Sequence, residues 1–226
     1  MAGASLLLFG NIRKNRFLSP KRKKSFIGEG TYLDATATIS PKGVNIGKNC
    51  VIKEHAVIYT NTEIGDNVTI MPGAVIGGQG FVYIKIRSSY HAVYHSGNVQ
   101  IGSGAVIGSM TCIDKSIRKG ATSIGENTVL EEGIHVAHNV SIGSDSWIGA
   151  GAMIAGHTHI GAKSRLWRNC SIVNRVNVGD GAEVFNGAVV TREVKPGDTV
   201  AGNFALTIEK FNSWMKILRT DSRGGP

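Results

Sequence analysis

Branched apolar residues recur at every sixth position along most of the chain. Twelve of them follow one another in the second half: Ile124, Leu130, Val136, Ile142, Ile148, Ile154, Ile160, Leu166, Ile172, Val178, Val184 and Val190. The same spacing occurs upstream at Ile27, Leu33 and Ile39, from Ile46 to Ile76 after a slip of one residue, and at Ile101, Ile107 and Ile113. A period of six fits neither the roughly 3.6-residue turn of a helix nor the alternation of a hairpin sheet.

The period predicts an all-β solenoid with three flat faces. Each face takes six residues, so one coil takes about 18, and residues one coil apart stack in columns at a strand spacing of about 4.8 Å. The branched residue points inward, and the small residue found four positions later fits the narrow corner. The Gly or Ala that often follows the branched residue tolerates the bend. Extra residues between Ile76 and Ile101, and between Ile113 and Ile124, must leave the coil as loops.

The period changes after the last repeat, where Pro196 and Gly197 interrupt it. Five apolar residues then share one face of a predicted helix: Ile208, Phe211, Trp214, Met215 and Leu218. We expect this helix to cap the last coil, whose strand edge would otherwise be unpaired, and a partner-binding helix is the alternative. The predicted organisation is a basic arm at 1–24, a β-helix at 25–203, and an amphipathic helix with a tail at 204–226.

Composition agrees with a narrow coil. The 226 residues include 30 Gly but only 3 Trp, 5 Tyr and 7 Phe, so Ile, Val and Ala must fill the core. No apolar run approaches the roughly 18 residues of a membrane span, and Ser5 to Phe9 is too short for a signal peptide. Cys50 and Cys170 fall on the small inward position and are expected to be packed thiols. The three cysteines show no CxxC spacing, which favours a reducing, cytoplasmic setting.

Positive charge is concentrated near the N-terminus. Seven of the 25 Lys and Arg residues lie between Arg13 and Lys24, and residues 1–24 contain no acidic residue, so only +2 of the net charge of +9 remains for the rest. A solvated tail is the simplest interpretation. The alternatives are an acidic protein partner and peripheral contact of residues 13–24 with an anionic surface such as the inner membrane. Nucleic acid is not expected, because no reading motif follows the basic residues.

Stacking one coil on the next brings polar residues into one patch. His138 lies two residues after an inward valine, Gly156 is 18 residues further on, and the column of Asn139 continues through His157 to Arg175. The patch is about 10 Å tall, which is two strand spacings. It holds a histidine as a candidate general base, a glycine whose N–H can meet an oxyanion, and flanking polar groups. These are the parts of an acyl-transfer site.

Two carboxylates are candidates to orient the imidazole of His138. Glu131 lies seven residues upstream. Asp114 stacks under Ala137 once the five extra residues of the second loop are removed, which places it beside the His138 column. The sequence leaves open which of the two acts.

The repeat resembles that of the hexapeptide-repeat acyltransferases, which implies a left-handed parallel β-helix assembled as a homotrimer. Three segments narrow the resemblance: VIGGQGFVY at 75–83, TCIDK at 111–115 and IHVAHNVSIG at 134–143. They look like the UDP-3-O-(3-hydroxyacyl)glucosamine N-acyltransferases of lipid A synthesis, in the order and spacing of that family. The segment AGNFA at 201–205 and the helix that follows it are also similar.

The resemblance implies roles for two residues. The general base of the family corresponds to His138. Its oxyanion donor, a backbone N–H one coil later, corresponds to Gly156. His138 would take a proton from the amine or hydroxyl of a small sugar acceptor as it attacks an acyl thioester. The implied co-substrate is acyl-CoA or acyl carrier protein, and no covalent acyl-enzyme, metal or permanently bound cofactor is expected.

Two features depart from the family. Where the family has a second histidine, two coils beyond the Asn139 column, this chain has Arg175, and His157 occupies the intermediate coil. Residues 1–24 are also too short to be the nucleotide-binding domain with which the family begins. The acceptor is therefore open: an amino sugar in a nucleotide, a surface glycan or a glycolipid, which would receive an acetyl or a longer acyl group.

Further side chains are candidates for binding. We expect the acceptor to meet three that flank the base: Asn139, His157 and Arg175. Loop residues Phe81 and Tyr83 could stack on a base or sugar, and anchoring of the loop is the alternative. Three basic residues on later coils could meet the phosphates of coenzyme A or an acidic carrier protein, with solvated surface as the alternative: Lys163, Arg165 and Arg168.

Two other classes of function remain open. Carbonic-anhydrase-like zinc enzymes share this solenoid and need three neutral imidazoles that converge from two chains. Four histidines could supply these imidazoles: His135, His138, His157 and His159. His135 and His159, however, occupy a different repeat position from the other two. The second class is a non-catalytic trimeric scaffold.

Overall fold

The six-residue repeat folds into short strands that wind around three faces. In the computed structural model, which describes residues 23–221, three parallel sheets form the sides of a left-handed β-helix. Successive strands lie in the first, second and third sheet in turn, so three strands complete one coil. The all-β architecture predicted from the period is confirmed.

The first sheet contains eight strands. They are β1 (Phe26–Ile27), β4 (Val44–Ile46), β7 (Thr62–Ile64), β12 (Asn98–Ile101), β15 (Ala121–Ile124), β18 (Ser141–Ile142), β21 (His159–Ile160) and β24 (Asn177–Val178).

The second sheet contains ten strands, and its last pair is antiparallel. They are β2 (Tyr32–Leu33), β5 (Val51–Ile52), β8 (Thr69–Ile70), β13 (Val106–Ile107), β16 (Val129–Leu130), β19 (Trp147–Ile148), β22 (Arg165–Leu166), β25 (Glu183–Val184), β27 (Thr199–Ala201) and β28 (Leu206–Thr207).

The third sheet again contains eight strands. They are β3 (Thr38–Ile39), β6 (Val57–Ile58), β9 (Val75–Gly78), β14 (Cys112–Asp114), β17 (His135–Val136), β20 (Met153–Ile154), β23 (Ser171–Ile172) and β26 (Val189–Val190).

Residues one coil apart stack as the period predicts. Ser141 pairs with Ser123 on one side and with His159 on the other, so the column advances by 18 residues at each step. The inward residues keep this register across the two interruptions, although a bulge after the Ile113–Ile76 pair makes Asp114 pair with Gly78. Ile113 still pairs with Val136 across the second loop.

The branched residues of the repeat fill the core. All twelve from Ile124 to Val190 are buried, and so are the small residues at the fourth position, including Cys50 and Cys170. Burial raises the pKa of the Cys170 thiol to about 12, so that thiol is protonated and inert. The first coil is less complete, because Ile27 is 40% exposed.

Left-handed backbone at the corners is supplied mostly by Gly and Asn, as in Gly133 (φ 64°), Asn127 (φ 53°) and Asn169 (φ 57°). The glycine that follows the inward residue has another purpose. A Cβ on Gly143 would overlap the backbone of Ala162 in the next coil. Such glycines therefore let neighbouring coils stack at backbone contact, rather than allowing the bend as the sequence suggested.

The first loop forms an antiparallel hairpin outside the coil, made of β10 (Tyr83–Ile86) and β11 (Ser89–Ala92). Its base is tied down on both sides: the N–H of Val93 donates to the carbonyl of Val82, and Gln79 Nε2 donates to the carbonyl of Val93.

A helix, α1 (Ile208–Asp221), follows the last strands. Phe211 is half-buried and lies against Gly202, where a Cβ would contact its ring. Trp214 and Leu218, placed on the same face by the sequence, are 49% and 45% exposed. Within residues 23–221 no helix has the length and apolar character to cross a membrane. Most of the basic arm, residues 1–22, lies outside the described residues.

Candidate active site

His138 stands at the corner between the third and first sheets. It follows β17, and the chain turns there into β18 through Asn139, whose φ is 59°. The imidazole is half-buried and faces outward from the coil. The second loop, which leaves the coil at the same corner one coil earlier, runs beside it.

Asn139 fixes the chemical state of the His138 ring. The backbone N–H of Ile117 donates to Oδ1 of Asn139 at 3.1 Å, which identifies that atom as the acceptor. The same Oδ1 lies 3.3 Å from Nδ1 of His138. Because Oδ1 cannot donate, Nδ1 of a neutral His138 must carry the hydrogen, and Nε2 keeps its lone pair. The sequence put Asn139 among substrate-binding candidates, whereas its amide oxygen is engaged with the histidine.

Gly156 lies directly against the His138 ring. A side chain at this position would place Cβ 2.7 Å from Nε2, so only glycine lets the two coils approach this closely. Among the described residues the N–H of Gly156 has no hydrogen-bond partner, while its carbonyl accepts from the N–H of Arg175 at 3.1 Å.

His157 covers the other side of the base. Its ring centroid is 5.1 Å from that of His138, in an edge-to-face arrangement of 78°. Partial desolvation of the His157 ring lowers its pKa, and the charges of His138 and Arg175 lower it further. His157 is therefore neutral at pH 7. The sequence-predicted column of Asn139, His157 and Arg175 lies at successive turns of this corner, with φ of 59°, 60° and 63°.

Asp114 lies at the buried end of β14, where only 8% of it is exposed. Its Oδ2 is 3.5 Å from Nε2 of His135. Burial raises the pKa of the Asp114 carboxyl, and the charges of His135 and His138 offset part of that shift. The close contact of Asp114 is thus with His135, and the charge of His138 acts on it from further away.

Glu131 lies at another corner. It follows β16, at the turn from the second to the third sheet, and its Oε2 accepts from the N–H of Ala150 at 2.9 Å. Arg168 binds both carboxylate oxygens at 3.0 Å, and Trp147 donates to Oε1. Burial would raise the pKa of Glu131, but these hydrogen bonds hold it below the usual range. The structure therefore does not bring Glu131 to His138.

His95 is a member of the patch that the sequence did not single out. It comes from the end of the first loop, is fully buried, and has its ring centroid 5.3 Å from that of His138. Its Nδ1 accepts from the N–H of Gly80 at 3.0 Å. The VIGGQG segment at 75–80 indicated that this part of the chain belongs to the site. The first loop has no six-residue period, however, so the position of His95 could not be predicted from sequence.

The other binding candidates lie further out. Phe81 and Tyr83 stack on each other at 4.8 Å between ring centroids, at the start of the exposed hairpin. Lys163, Arg165 and Arg168 are exposed and lie on or beside the second sheet, away from the His138 corner of the same chain. Arg165 packs over Trp167 at 5.5 Å, and Arg168 pairs with Glu131.

The four histidines considered for zinc do not form one cluster. His159 lies on the first sheet, where its Nδ1 is 2.7 Å from Oγ of Ser141. Over residues 23–221, no group of three or more His, Cys, Asp and Glu side chains is arranged to hold a metal ion.

Family models match the repeat directly. Residues 43–78 and 121–156 match the model described as bacterial transferase hexapeptide (six repeats), and residues 26–59 match the hexapeptide repeat of succinyl-transferase. These segments of the chain carry hexapeptide repeats. The matched ranges contain both His138 and Gly156, so the site lies within the repeat that defines this fold.

Curated relatives agree with the narrower resemblance over part of the chain. A UDP-3-O-acylglucosamine N-acyltransferase of Pseudomonas putida is 36% identical over 101 residues, which is 42% of this chain and 28% of that protein. The enzyme of that name from Hydrogenovibrio crunogenus is 33% identical over 111 residues, covering 42% of this chain and 31% of its own. The alignment thus spans less than a third of each of these curated relatives.

Solved structures match over more of the chain. A UDP-N-acetylglucosamine acyltransferase from Bacteroides fragilis superposes with a TM-score of 0.74 at 25% identity, and covers 90% of this chain and 75% of its own. The Francisella novicida enzyme of that name gives a TM-score of 0.65 at 26% identity, with 78% and 67% covered. These structures share the left-handed β-helix.

Proposed function

We propose that this protein is an acyltransferase that moves an acyl group from a thioester to the amine of an amino sugar. The observation that carries the proposal is the His138 arrangement. Asn139 holds the Nδ1 hydrogen, so Nε2 is left as a base, and Nε2 faces a glycine whose N–H lacks a partner among the described residues.

The proposed reaction needs only these groups. The acceptor nitrogen attacks the thioester carbon, and Nε2 of His138 accepts the proton that this nitrogen loses. The N–H of Gly156 stabilises the oxyanion, a contribution of about 3 kcal/mol for one donor. The tetrahedral intermediate then collapses, the C–S bond breaks, and the departing thiolate takes the proton from His138. No covalent acyl-enzyme forms, so the buried cysteines have no part.

The relatives support the substrate class. Two are named for N-acylation of an acylated glucosamine nucleotide and two for acylation of a UDP-linked N-acetylglucosamine, so a nucleotide-linked sugar is the proposed acceptor. Acyl-CoA or acyl carrier protein is the proposed donor. We propose that Arg175 and the aromatic pair Phe81 and Tyr83 meet the sugar and its base, and that the charge of Asp114 influences His138.

We further propose that the active unit is a homotrimer. Lys163, Arg165 and Arg168 lie far from the His138 corner of their own chain, so they could serve as donor-phosphate ligands only at the site of a neighbouring subunit. The apolar side chains Ile84, Ile86 and Tyr90 of the hairpin are each at least 50% exposed and would be covered in such an assembly.

The proposal is tested by thiol release. Purified protein is incubated with acyl-CoA and acyl carrier protein donors of several chain lengths, each against a panel of UDP-linked amino sugars. We expect thiol release that depends on one acceptor and falls about 1,000-fold in His138→Ala. His159→Ala is the matched control, because His159 is exposed and lies on the first sheet, and it should keep full rate.

Three results would contradict this proposal. If His138→Ala left thiol release unchanged, His138 would not be the general base. Stoichiometric zinc in active protein, lost together with activity on chelation, would favour the zinc enzyme, and no turnover with any pair would favour the scaffold.

A further inference from the structure

His95 combines features that packing alone does not require. It is fully buried, and it is carried by the loop that leaves the coil rather than by the repeat. Its Nδ1 accepts the N–H of Gly80. A neutral histidine that accepts at Nδ1 carries its hydrogen at Nε2, and Nε2 of His95 lies by the backbone of Lys115 without a well-formed hydrogen bond.

The ring of His95 rests on the ring of the base. The two imidazoles meet at 72° with centroids 5.3 Å apart, and His157 meets His138 from a second direction at 5.1 Å. Rotation of the His138 ring away from Asn139 would therefore have to displace one of two neighbouring rings. A flat ring at position 95 restricts that rotation.

The Gly80 contact holds the His95 ring in turn. A Cβ on Gly80 would lie 2.6 Å from Nδ1 of His95 and 3.0 Å from Oδ2 of Asp114, so the backbone there touches both side chains. Phenylalanine would supply the ring without the acceptor, and glutamine the acceptor without the ring. Histidine supplies both, which accounts for an imidazole at this position.

His95 also remains uncharged beside the base. Burial lowers its pKa, the charges of His138 and Lys115 lower it further, and the nearby backbone of Lys115 opposes this only in part. The lowered pKa favours the neutral form of the ring that supports His138.

We propose that His95 is a positioning residue: anchored by Gly80, its ring holds the imidazole of His138 in the orientation in which Nε2 faces the reacting groups. This inference rests on the proposed role of His138 as the base. His95 itself touches neither substrate, since it is enclosed by the protein.

Two substitutions test separately the flat ring of His95 and its role as hydrogen-bond acceptor for Gly80. His95→Phe keeps a flat ring but leaves the N–H of Gly80 unpaired, so we expect a lower melting temperature and kcat within about fivefold of wild type. His95→Gln can still accept from Gly80 but lacks the ring, so we expect a smaller loss of melting temperature and a kcat at least tenfold lower, with KM changed less than about threefold. His55→Asn, at an exposed turn with φ of 57°, is the control and should match wild type in both.

A spectroscopic readout tests the inference without any substrate. In protein labelled with ¹⁵N-histidine, and with His138 assigned by its loss in His138→Gln, wild type and His95→Phe should show His138 with its hydrogen at Nδ1. His95→Gln should show a mixture of tautomers or exchange broadening. Unchanged His138 resonances and unchanged kcat in His95→Gln would overturn the inference. If the wild-type protein turns over no pair of donor and acceptor, the proposed function is wrong. The ¹⁵N resonances of His138 would still show whether His95 positions its ring.

Discussion

The His138 imidazole is held by contacts from three separate stretches of chain. Asn139 follows it directly, Gly156 and His157 come from the next coil, and His95 comes from the first loop. Each contact acts on a different part of the ring, and together they leave Nε2 as the atom able to accept a proton. At the scale of single residues, these contacts set the orientation of the His138 ring.

The contact of Gly156 with the ring predicts a specific coupling. Gly156→Ala puts a methyl group where Cε1 and Nε2 of His138 lie, so it should lower the free energy of unfolding by about 1–3 kcal/mol and activity at least tenfold. In a His138→Ala background the ring is absent, and the same change should cost little. Denaturant unfolding of the four proteins measures the coupling energy, which we expect to exceed about 1 kcal/mol. Additive effects of the two changes would contradict the packing described.

Most of this site could be predicted by counting. Because coils repeat every 18 residues, the stacking of Gly156 on His138 followed from the sequence, and subtracting the five extra residues of the second loop placed Asp114. The same count explains Glu131: seven residues upstream is slightly more than one face, which puts it around the preceding corner. His95 was beyond reach, because residues in the first loop have no periodic register.

At the scale of elements, the repeat positions have different physical reasons. The inward branched residues and the small corner residues are buried as their spacing predicts. The glycine after the inward residue looked like a bend residue from sequence, yet the left-handed backbone at the corners belongs mostly to the residue two positions later, most often Gly or Asn. Contacts between coils, which a single repeat cannot reveal, explain that glycine.

The apolar face of α1 is only partly covered: Ile208, Phe211 and Met215 are half-buried, and Trp214 and Leu218 are exposed. Phe211 is half-buried against Gly202, whereas Trp214 is 49% exposed on the next turn. We therefore expect Phe211→Ala to lower the free energy of unfolding by about 2 kcal/mol and Trp214→Ala by less than about 0.5 kcal/mol. Thermal unfolding followed by circular dichroism compares the two. Equal losses would show that the whole face predicted from the sequence packs on the coil.

At the scale of the whole molecule, charge and chemistry are separated along the chain. The repeat carries the His138 patch, while residues 1–24 carry seven of the 25 basic residues and no acidic one. The structure attaches the last two of those seven to the first coil, since Lys24 pairs with Lys42 and the carbonyl of Lys23 accepts from the N–H of Gly43. A deletion that tests the arm should therefore stop at residue 22.

Deleting residues 1–22 removes five positive charges and none of the contacts described for the β-helix: Arg13, Lys14, Arg16, Lys21 and Arg22. If the arm serves as an anchor, kcat and KM for a soluble acceptor should stay within about twofold. Binding to vesicles that contain phosphatidylglycerol should weaken strongly, because each basic residue near an anionic surface contributes about 1 kcal/mol. Neutral phosphatidylcholine vesicles are the control, and sedimentation at low and high salt measures binding. The proposed chemistry at His138 needs no charge from the arm. A loss of turnover on deletion would therefore show that the arm belongs to the catalytic unit.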